Sequence, residues 1–389
     1  MSATPRLSRR GALALALAGA AAASRALPAF AAGDPSLDGL ARAKGFRFGS
    51  CLGGGPPHPG GAAGSFADLR YRDLVAAQCG LITPENELKW QATRPAADRF
   101  DFRAADALVE WATAHGIGVR GHTLLWHREE RFPAWMAAHD FSTHPASEAA
   151  RLLTDHVRTV AGRYAGVIRS FDVVNETVVS ETGVLRDTTL SRAFGSTEGL
   201  VDLAFHTARE AAPHAQLVYN DYMSWEPGFE AHRSGVLRLL EGFRKRGVPV
   251  DALGVQSHIG GGPEFGAAPF GGRQEAEWRR FLDAVTGMGY RLLVTEFDVD
   301  DRALPPAIPA RDRAVADYAA AYCELMLGYP QLDAFVAWGM VDRTSWLQQF
   351  RRRADGIAKR PCPYDDAFEP KPLRTALADA FVKARPRAA

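Results

Sequence analysis

The chain has 389 residues with nearly balanced charge, 46 Lys and Arg against 45 Asp and Glu, and 47% of its residues are hydrophobic. These values are typical of a globular protein. Because the formal net charge is only +1, electrostatics gives no reason to expect nucleic acid or an anionic membrane as a partner. A neutral ligand fits this charge balance better.

The first 31 residues have the pattern of an export signal. A group of arginines that includes Arg9 and Arg10 precedes an apolar, alanine-rich run at 11–23, and an A-x-A cleavage pattern follows at 29–31. The apolar run is too short to span a bilayer comfortably. The adjacent arginines favour the twin-arginine export route, with a general secretory signal as the alternative. We therefore expect a signal peptide over 1–31 and a mature protein that acts outside the cytoplasm, in the periplasm or beyond the cell.

The rest of the chain, residues 32–389, carries no second apolar stretch of membrane-spanning length, so we expect no membrane contact by the mature form. Its four cysteines are Cys51, Cys79, Cys323 and Cys362. An even number in an oxidising destination allows a disulfide, and a free thiol is equally consistent at each position. Their spacing matches no zinc-binding pattern.

Short apolar runs alternate with longer helical patterns from residue 46 onward. The runs are Phe46–Ser50, Leu81–Thr83, Gly118–Thr123, Ser170–Asn175, Gln216–Asn220, Ala252–His258, Leu292–Phe297 and Ala334–Trp338. Amphipathic helical stretches lie between them, most clearly at Ala104–His115, Ala149–Tyr164 and Val236–Lys245. Strands that alternate with helices predict a parallel sheet. Eight such units in one chain predict an α/β fold, a single (β/α)₈ TIM barrel over residues 32–389.

A doubly wound open sheet is the alternative fold, and it would require a glycine-rich phosphate turn after the first strand. Residues 53–64 read GGGPPHPGGAAG, but the prolines would interrupt a helix N-terminus there, so this stretch is expected to be a loop. A second Gly- and Pro-rich stretch, 260–272, follows the sixth run. In a barrel, both loops would lie on the catalytic rim.

Polar and aromatic residues stand at the carboxyl end of nearly every predicted strand. These ends are TPENELKW at 83–90, HTLLWH at 122–127, NE at 175–176, NDY at 220–222, QSH at 256–258, EFD at 296–298 and Trp338. The carboxyl ends of barrel strands converge on one face, where active sites lie. Burial of an unpaired polar group is costly. Packing alone therefore does not explain why so many strands end in polar residues.

The residue types at these ends favour a carbohydrate site. Carboxylates and amides hydrogen-bond sugar hydroxyls, and tryptophan faces stack on sugar rings. No Ser-His-Asp order with a nucleophile elbow and no catalytic-cysteine signature is present. A metallohydrolase is the competing interpretation, with His122, His127, His258 and Asp298 as ligands. The H-x-H pair that usually opens such barrels is absent, so we expect hydrolysis without a metal or another cofactor.

Glycoside hydrolysis requires two carboxyl groups with different protonation states. The segments FDVVNE at 171–176 and TEFD at 295–298 supply them, and they resemble the acid/base and nucleophile motifs of glycoside hydrolase family 10, the endo-β-1,4-xylanases. The resemblance runs from Phe48 to the PKP segment at 370–372. It includes the ENxxKW, HTLLWH, NDY and QSH segments and the pair Trp338 and Trp346.

The resemblance implies retaining hydrolysis of internal xylan bonds through a covalent intermediate, with Glu176 as the general acid/base and Glu296 as the nucleophile. It implies that His258 hydrogen-bonds Glu296 while Asp298 orients His258, and that Asn175 binds the 2-hydroxyl of the sugar under attack. A retaining pair of carboxyl groups lies about 5–5.5 Å apart.

The same resemblance assigns substrate-binding residues. Those on the glycone side are Glu85, Asn86, Lys89, His122, Trp126, Trp338 and Trp346. Gln256 is expected in the network around the catalytic pair, and Tyr222 on the leaving-group side.

Three positions depart from the family pattern. Phe171 replaces a usual Trp, Met223 replaces a common Asn after NDY, and Glu129 replaces a frequent Gln. A carboxylate at Glu129 is expected to lie near the glycone and to change sugar preference or pH optimum modestly.

The leading hypothesis is therefore a monomeric endo-1,4-β-xylanase with xylan or xylo-oligosaccharides as its partners. The alternatives are a xylo-oligosaccharide-releasing or β-1,4-glucan-active glycosidase of the same fold, or a sugar-binding protein without catalysis. The presence of both glutamates argues against the last alternative.

Overall fold

A computed structural model of the protein describes residues 35–54, 64–262 and 270–387. The predicted signal peptide lies outside these residues. So do most of the glycine-rich stretch 53–64 and the central part of 260–272.

Parallel strands close into a barrel within the described residues. The strands are β1 Arg47–Leu52, β2 Leu81–Pro84, β3 Gly118–Trp126, β4 Ser170–Asn175, β5 Gln216–Asp221, β6 Ala252–Val255, β7 His258–Ile259, β8 Arg291–Val299 and β9 Leu332–Ala337. Consecutive strands pair from β1 to β6, β9 pairs with both β1 and β8, and β6 pairs with β8 to complete the ring. All of these pairings are parallel. The predicted (β/α)₈ barrel is confirmed.

The sixth predicted strand is one run in the sequence but two short strands in the structure. Gln256 and Ser257 interrupt it, and Ser257 has a left-handed backbone with φ 67°, which an L-residue adopts only at a cost. After the interruption, β7 pairs with the outer end of β8, so that His258 lies beside Asp298. The interruption is therefore what brings this histidine to the end of β8.

The helices between the strands follow from amphipathic patterns and local caps. They are α1 Leu37–Arg42, α2 Leu69–Gln78, α3 Trp90–Thr93, α4 Arg103–Ala114, α5 Pro145–Tyr164, α6 Thr189–Phe194, α7 Thr197–Ala211, α8 Glu230–Arg246, α9 Glu275–Gly287, α10 Ile308–Leu327 and α11 Pro372–Lys383. In α4, Ala105, Leu108, Val109 and Ala112 are buried, and this i, i+3, i+4, i+7 spacing places them on one face. Helix α8 ends at Gly247, whose left-handed φ of 69° favours glycine.

Apolar side chains fill part of the barrel interior. Val218, Ala252, Leu293 and Ala334 form a buried cluster from four adjacent strands, and Leu81 packs against it from β2. Because β2 is not a neighbour of β5 or β6 in the ring, this contact crosses the interior. The barrel is thus a packed core, and the polar side chains gather at the carboxyl ends of its strands.

Two further predictions concern the chain as a whole. No helix in the described ranges is long and apolar enough to cross a membrane. Cys51, Cys79, Cys323 and Cys362 are all buried and have free thiols, which answers the open question of a disulfide in favour of free thiols.

Candidate active site

Glu176 lies directly after β4, and its backbone N–H donates to the Asn220 carbonyl at 3.0 Å. Its φ is 56°, in the left-handed region. A non-glycine residue in this region costs of the order of 1–3 kcal/mol and is held there by its surroundings. The sharp change of backbone direction at the end of β4 sets where the carboxyl group of Glu176 points.

Hydrogen bonds reach both carboxyl oxygens of Glu176. Oε1 accepts from Gln256 Nε2 at 3.0 Å and from Asn175 Nδ2 at 3.3 Å. Oε2 accepts from Arg128 Nη1 at 3.0 Å. Glu176 is only 6% exposed, so these contacts form in a largely water-free setting.

Glu296 lies within β8 and is held by amide and imidazole groups. Its Oε1 accepts from Asn220 Nδ2 at 2.8 Å, and its Oε2 lies 3.3 Å from His258 Nε2. His122 Nδ1 is 4.0 Å from Oε1. Burial by itself would raise the pKa of Glu296, but His122, His258 and Lys89 lower it to about 2. The carboxylate is therefore ionised at neutral pH and available for nucleophilic attack.

His258 stands between two carboxylates. Its Nδ1 donates to Asp298 Oδ1 at 2.9 Å, and its Nε2 faces Glu296. Burial would lower the pKa of His258, but Asp298 and Glu296 raise it to about 10. The other oxygen of Asp298 accepts from Trp346 Nε1 at 2.8 Å. Asp298 thus fixes His258 and Trp346 relative to Glu296.

A chain of side-chain amides links the two glutamates. Asn220 Nδ2 donates to Glu296 and also to Asn175 Oδ1, at 2.9 Å. Gln256 Nε2 donates to the same Asn175 oxygen at 3.2 Å and to Glu176. On its other side, Asn220 Oδ1 accepts from Thr295 Oγ1 at 2.7 Å. This chain fixes the separation and orientation of the two carboxyl groups.

His122 is oriented from inside the barrel. Asp172, which is fully buried, accepts from His122 Nδ1 at 2.9 Å and from Arg120 Nη2 at 2.6 Å. The imidazole meets the Trp338 ring edge to face, with centroids 5.5 Å apart. His122 therefore belongs to the wall of the site next to Glu296.

Lys89 and its neighbours form the adjacent part of the cleft. Lys89 Nζ donates to Asn86 Oδ1 at 3.0 Å and lies 4.6 Å from the centre of the Trp126 ring. Burial lowers the pKa of Lys89, while Glu296 and Glu85 act in the opposite direction. Burial also raises the pKa of Glu85. The polar side chains of Lys89, Asn86 and Glu85, which lie near Glu296, can bind sugar hydroxyls. The Trp126 ring beside them forms a flat apolar wall.

Tyr222 and Glu129, two of the predicted substrate-binding residues, hydrogen-bond residues outside the predicted site. The hydroxyl of Tyr222 accepts from Arg186 at 2.8 Å. Glu129 lies in a short 3₁₀ helix, Glu129–Arg131, and its carboxylate accepts from the Thr189 backbone N–H at 2.6 Å and from the Thr189 hydroxyl. Glu129 therefore holds the first residue of α6, and its predicted role near the glycone stays a prediction.

Each histidine of the metallohydrolase alternative has a hydrogen-bond partner within the protein. His122 binds Asp172, His258 binds Asp298 and Glu296, and His127 Nε2 bonds the Thr188 hydroxyl at 3.2 Å. In the parts of the chain that the structure describes, no group of three or more His, Cys, Asp or Glu side chains is arranged to hold a metal ion.

Asn220 and Arg128 contact Glu296 and Glu176, respectively, but were absent from the predicted site. Asn220 begins the NDY segment at the end of β5, so its position at a strand end was the signal that could have identified it. Arg128 follows the HTLLWH segment by one residue, in a loop where no periodic pattern predicts the direction of a side chain.

The fold and the motifs match known proteins. Residues 36–380 match the family model described as Glycosyl hydrolase family 10. The chain is 30% identical over 327 residues to endo-1,4-beta-xylanase B of Thermotoga neapolitana, covering 82% of this chain and 87% of that protein. It is 32% identical over 312 residues to endo-1,4-beta-xylanase B of Paenibacillus barcinonensis, covering 77% and 88%.

Solved structures agree with these relatives. Xylanase 10B from Thermotoga petrophila RKU-1, in complex with xylobiose, superposes with a TM-score of 0.77 at 26% identity, over 90% of this chain and 98% of that chain. Native xylanase 10B from Thermotoga maritima gives 0.76 at 27% identity, over 90% and 98%. The chain has the barrel, one glutamate directly after β4 and another within β8, and a family match over residues 36–380. It therefore belongs to glycosyl hydrolase family 10.

Proposed function

We propose that this protein is an endo-1,4-β-xylanase that hydrolyses internal β-1,4-xylosidic bonds of xylan with retention of configuration. The observation that carries the proposal is the electrostatic difference between the two glutamates. Glu296 is surrounded by His122, His258 and Lys89 and is ionised, whereas amide donors and Arg128 surround Glu176. A retaining glycosidase needs this division between a permanent nucleophile and a group that exchanges a proton.

In the first step, a Glu296 oxygen attacks the anomeric carbon while the bond to the leaving oxygen breaks. Glu176 gives its proton to that oxygen, so the leaving sugar departs as a neutral alcohol and Glu176 becomes a carboxylate. In the second step, Glu176 takes a proton from water, and the water oxygen displaces Glu296 from the anomeric carbon. Both carboxyl groups thus return to their starting states.

The neighbouring residues support the charge that develops at the sugar. Asn175 lies between the two glutamates, where its amide can bind the 2-hydroxyl of the sugar under attack, and that bond strengthens in the transition state. On the glycone side, Glu85, Asn86, Lys89 and His122 offer polar contacts, and Trp126, Trp338 and Trp346 offer ring faces. Gln256 keeps Glu176 and Asn175 aligned, and Tyr222 borders the leaving group.

Product analysis on xylan, mixed-linkage β-glucan and cellulose tests the substrate. Xylan is expected to give short oligosaccharides early, with a rapid fall in viscosity, because internal bonds are cut. Release of only the shortest products from chain ends would favour the oligosaccharide-releasing alternative. Faster turnover of β-glucan would favour the glucan-active alternative.

Two variants test the mechanism. Glu296→Ala is expected to lose turnover of every substrate. Glu176→Ala is expected to lose turnover of xylan while it keeps the first step on an aryl xylobioside whose leaving group needs no proton. Proton NMR of the first product should show the β-anomer. Normal turnover by Glu296→Ala, or a first product of α configuration, would refute the mechanism.

We also propose that residues 1–31 direct export by the twin-arginine route and that the mature protein acts as a monomer, since one chain supplies every side chain of the site described above. Cell fractionation of the full chain against an Arg9→Lys/Arg10→Lys variant tests the route, because the general secretory route would tolerate this change. Sedimentation velocity of residues 32–389 tests the monomer.

A further inference from the structure

Arg128 lies beside the proton donor. It follows the end of β3 by two positions, and its Nη1 is 3.0 Å from Glu176 Oε2. Its Nε lies 3.0 Å from Glu130 Oε1. The Arg128 side chain is 18% exposed and that of Glu176 is 8% exposed, so this ion pair is shielded from water far better than a surface pair.

The hydrogen bonds of Glu176 indicate which of its oxygens carries the proton. Oε1 accepts from two amide N–H groups, those of Gln256 and Asn175. An amide nitrogen cannot accept a hydrogen bond in return, so a proton on Oε1 would face two donors. The proton for the leaving group therefore belongs on Oε2, which is the oxygen that Arg128 occupies.

The other charged and titratable groups near this pair lie on several elements. Tyr222, after β5, faces both Glu176 and Arg128, and Arg186 binds the Tyr222 hydroxyl. Glu130 lies behind Arg128, with its side chain 59% exposed. The amides of Gln256, Asn175 and Asn220 link Glu176 to Glu296. Arg128 is thus a cation in direct contact with Glu176, and it stands on the same side as Tyr222.

We propose that Arg128 is a positioning residue for the proton donor, which holds Oε2 of Glu176 through its guanidinium and leaves Oε2 when the leaving-group sugar binds. The guanidinium would then contact that sugar or Glu130, and Oε2 would turn its proton towards the glycosidic oxygen. This inference rests on the proposed role of Glu176 as the general acid. It explains how an arginine, which opposes protonation of a carboxyl group, can stand beside a proton donor.

The test is the pH dependence of Arg128→Gln on phenyl β-xylobioside, a substrate whose leaving group needs a proton. A cation in hydrogen-bond contact with a carboxyl group opposes its protonation, so removal of the guanidinium 3.0 Å from Oε2 should move the alkaline limb of kcat/KM up by about one unit. The profile of kcat/KM reports the free enzyme, and that of kcat reports the complex. The limb of kcat should therefore move less, because Arg128 has already left Oε2 in the complex.

A second substrate isolates the proton transfer. With 2,4-dinitrophenyl β-xylobioside, whose leaving group needs no acid, the alkaline limb of kcat/KM should be the same for Arg128→Gln and the wild type. Arg128→Lys retains the charge and should restore most of the wild-type profile on the phenyl substrate. Arg158→Gln removes an exposed arginine that pairs with Glu210, and it should leave both profiles unchanged.

The outcomes separate this inference from the proposed function. A uniform fall in rate for Arg128→Gln, with both limbs in place, would mean that Arg128 only supports the loop and would overturn the inference. If the alkaline limbs of kcat and kcat/KM moved equally, the proposal that Arg128 leaves Oε2 on substrate binding would be overturned. If Glu176→Ala loses the phenyl and the dinitrophenyl substrate equally in kcat/KM, the assignment of Glu176 itself fails.

Discussion

Glu176 and Glu296 are equally buried, each 6% exposed, so burial alone cannot give them different tasks. Their neighbours differ instead. Glu296 faces two histidines and a lysine, and Glu176 faces two amides and an arginine. These partners come from several strand ends and loops, and those around Glu296 set its charge.

The His258→Gln variant tests the support of the nucleophile. The pKa of Glu296, about 2, lies below its usual value, so its ionised form is available above that pH and is lost as pH falls through it. Removal of the imidazolium 3.3 Å away should raise this pKa by about one unit or more. The acidic limb of kcat/KM on an aryl xylobioside should then move to higher pH.

A matched control for this variant is His139→Gln, because His139 pairs with Glu148 at 2.9 Å outside the site. It should leave the acidic limb where it is. An unmoved limb in His258→Gln would mean that His122 and Lys89 suffice to ionise Glu296.

Glu129 offers a second test at the residue scale. Its carboxylate accepts from the Thr189 backbone N–H and hydroxyl, so Glu129→Gln removes a charge-assisted contact at the start of α6. We expect a loss of about 0.5–1 kcal/mol in the free energy of unfolding, measured by urea denaturation, since the pair is half exposed. The sequence-based expectation of a changed pH optimum is checked on the same variant by its pH–rate profile. Unchanged stability together with a changed profile would place Glu129 in the cleft rather than at the helix.

At the scale of elements, one buried carboxyl group joins two loops on the catalytic face. Glu226 lies between β5 and α8, and its Oε1 accepts from the backbone N–H groups of Gly260, at 3.0 Å, and Gly262, at 3.4 Å. Its Oε2 accepts from the Ser224 hydroxyl. Burial raises the pKa of Glu226 to about 7, although these hydrogen bonds lower it. The turn after β7, which follows His258, is thus attached to a group that titrates near neutrality.

The Glu226→Gln variant tests this attachment through stability. A carboxyl group with a raised pKa binds a proton more tightly in the folded state, so its contribution is greatest below the unfolded value of about 4.3 and is lost as pH rises to about 7. Glutamine removes this loss of stability, which amounts to at most about 4 kcal/mol. The difference in Tm between variant and wild type should therefore move in favour of the variant from pH 4.5 to 7.5.

The control for Glu226→Gln is Glu230→Gln. Glu230 is an exposed carboxylate at the start of α8 that accepts from the Gly228 backbone N–H at 3.0 Å. The Tm difference between Glu230→Gln and the wild type should not move in favour of the variant over the same pH range. A pH-independent Tm difference for Glu226→Gln would show that Glu226 does not titrate in this window.

At the scale of the whole molecule, the last helix closes the ring where the first and last strands meet. Phe381 of α11 is fully buried, and its ring lies 5.1 Å from Phe46, 5.6 Å from Phe48 and 5.7 Å from Phe335. Phe48 belongs to β1 and Phe335 to β9, which are paired strands. This aromatic cluster joins α11 to the paired strands β1 and β9, and its link towards β8 is Phe297, whose ring lies 4.9 Å from that of Phe335.

Phe381→Ala should therefore lower stability and leave substrate binding alone. Loss of a buried phenylalanine costs about 3–5 kcal/mol, measured by urea denaturation, while KM for xylo-oligosaccharides should stay the same at a temperature where the variant is folded. The neighbouring Val382 is 54% exposed, and Val382→Ala should stay within about 0.5 kcal/mol of the wild type. A changed KM in Phe381→Ala would show that the cluster and the cleft are coupled.

The sequence by itself determined the fold class, the positions of the barrel strands to within a few residues, and the strand ends that carry polar groups. Strands and helices can be predicted from the sequence because their periodicity is a local signal. The polar strand ends can be assigned because the motifs follow one another in an order that resembles the family. The break at Gln256 and Ser257 was missed, because neither of these two positions carries a proline or glycine that would mark it.

Only the tertiary structure decided which side chains meet. Asn220 and Asn175 are 45 residues apart, Gln256 and Glu176 are 80 apart, and Arg128 and Glu176 are 48 apart. Such contacts depend on closure of the ring and on loop directions that no local pattern encodes. Closure of the fold likewise brings the Glu129 carboxylate to Thr189, 60 residues further along the chain, a contact that no local pattern predicts.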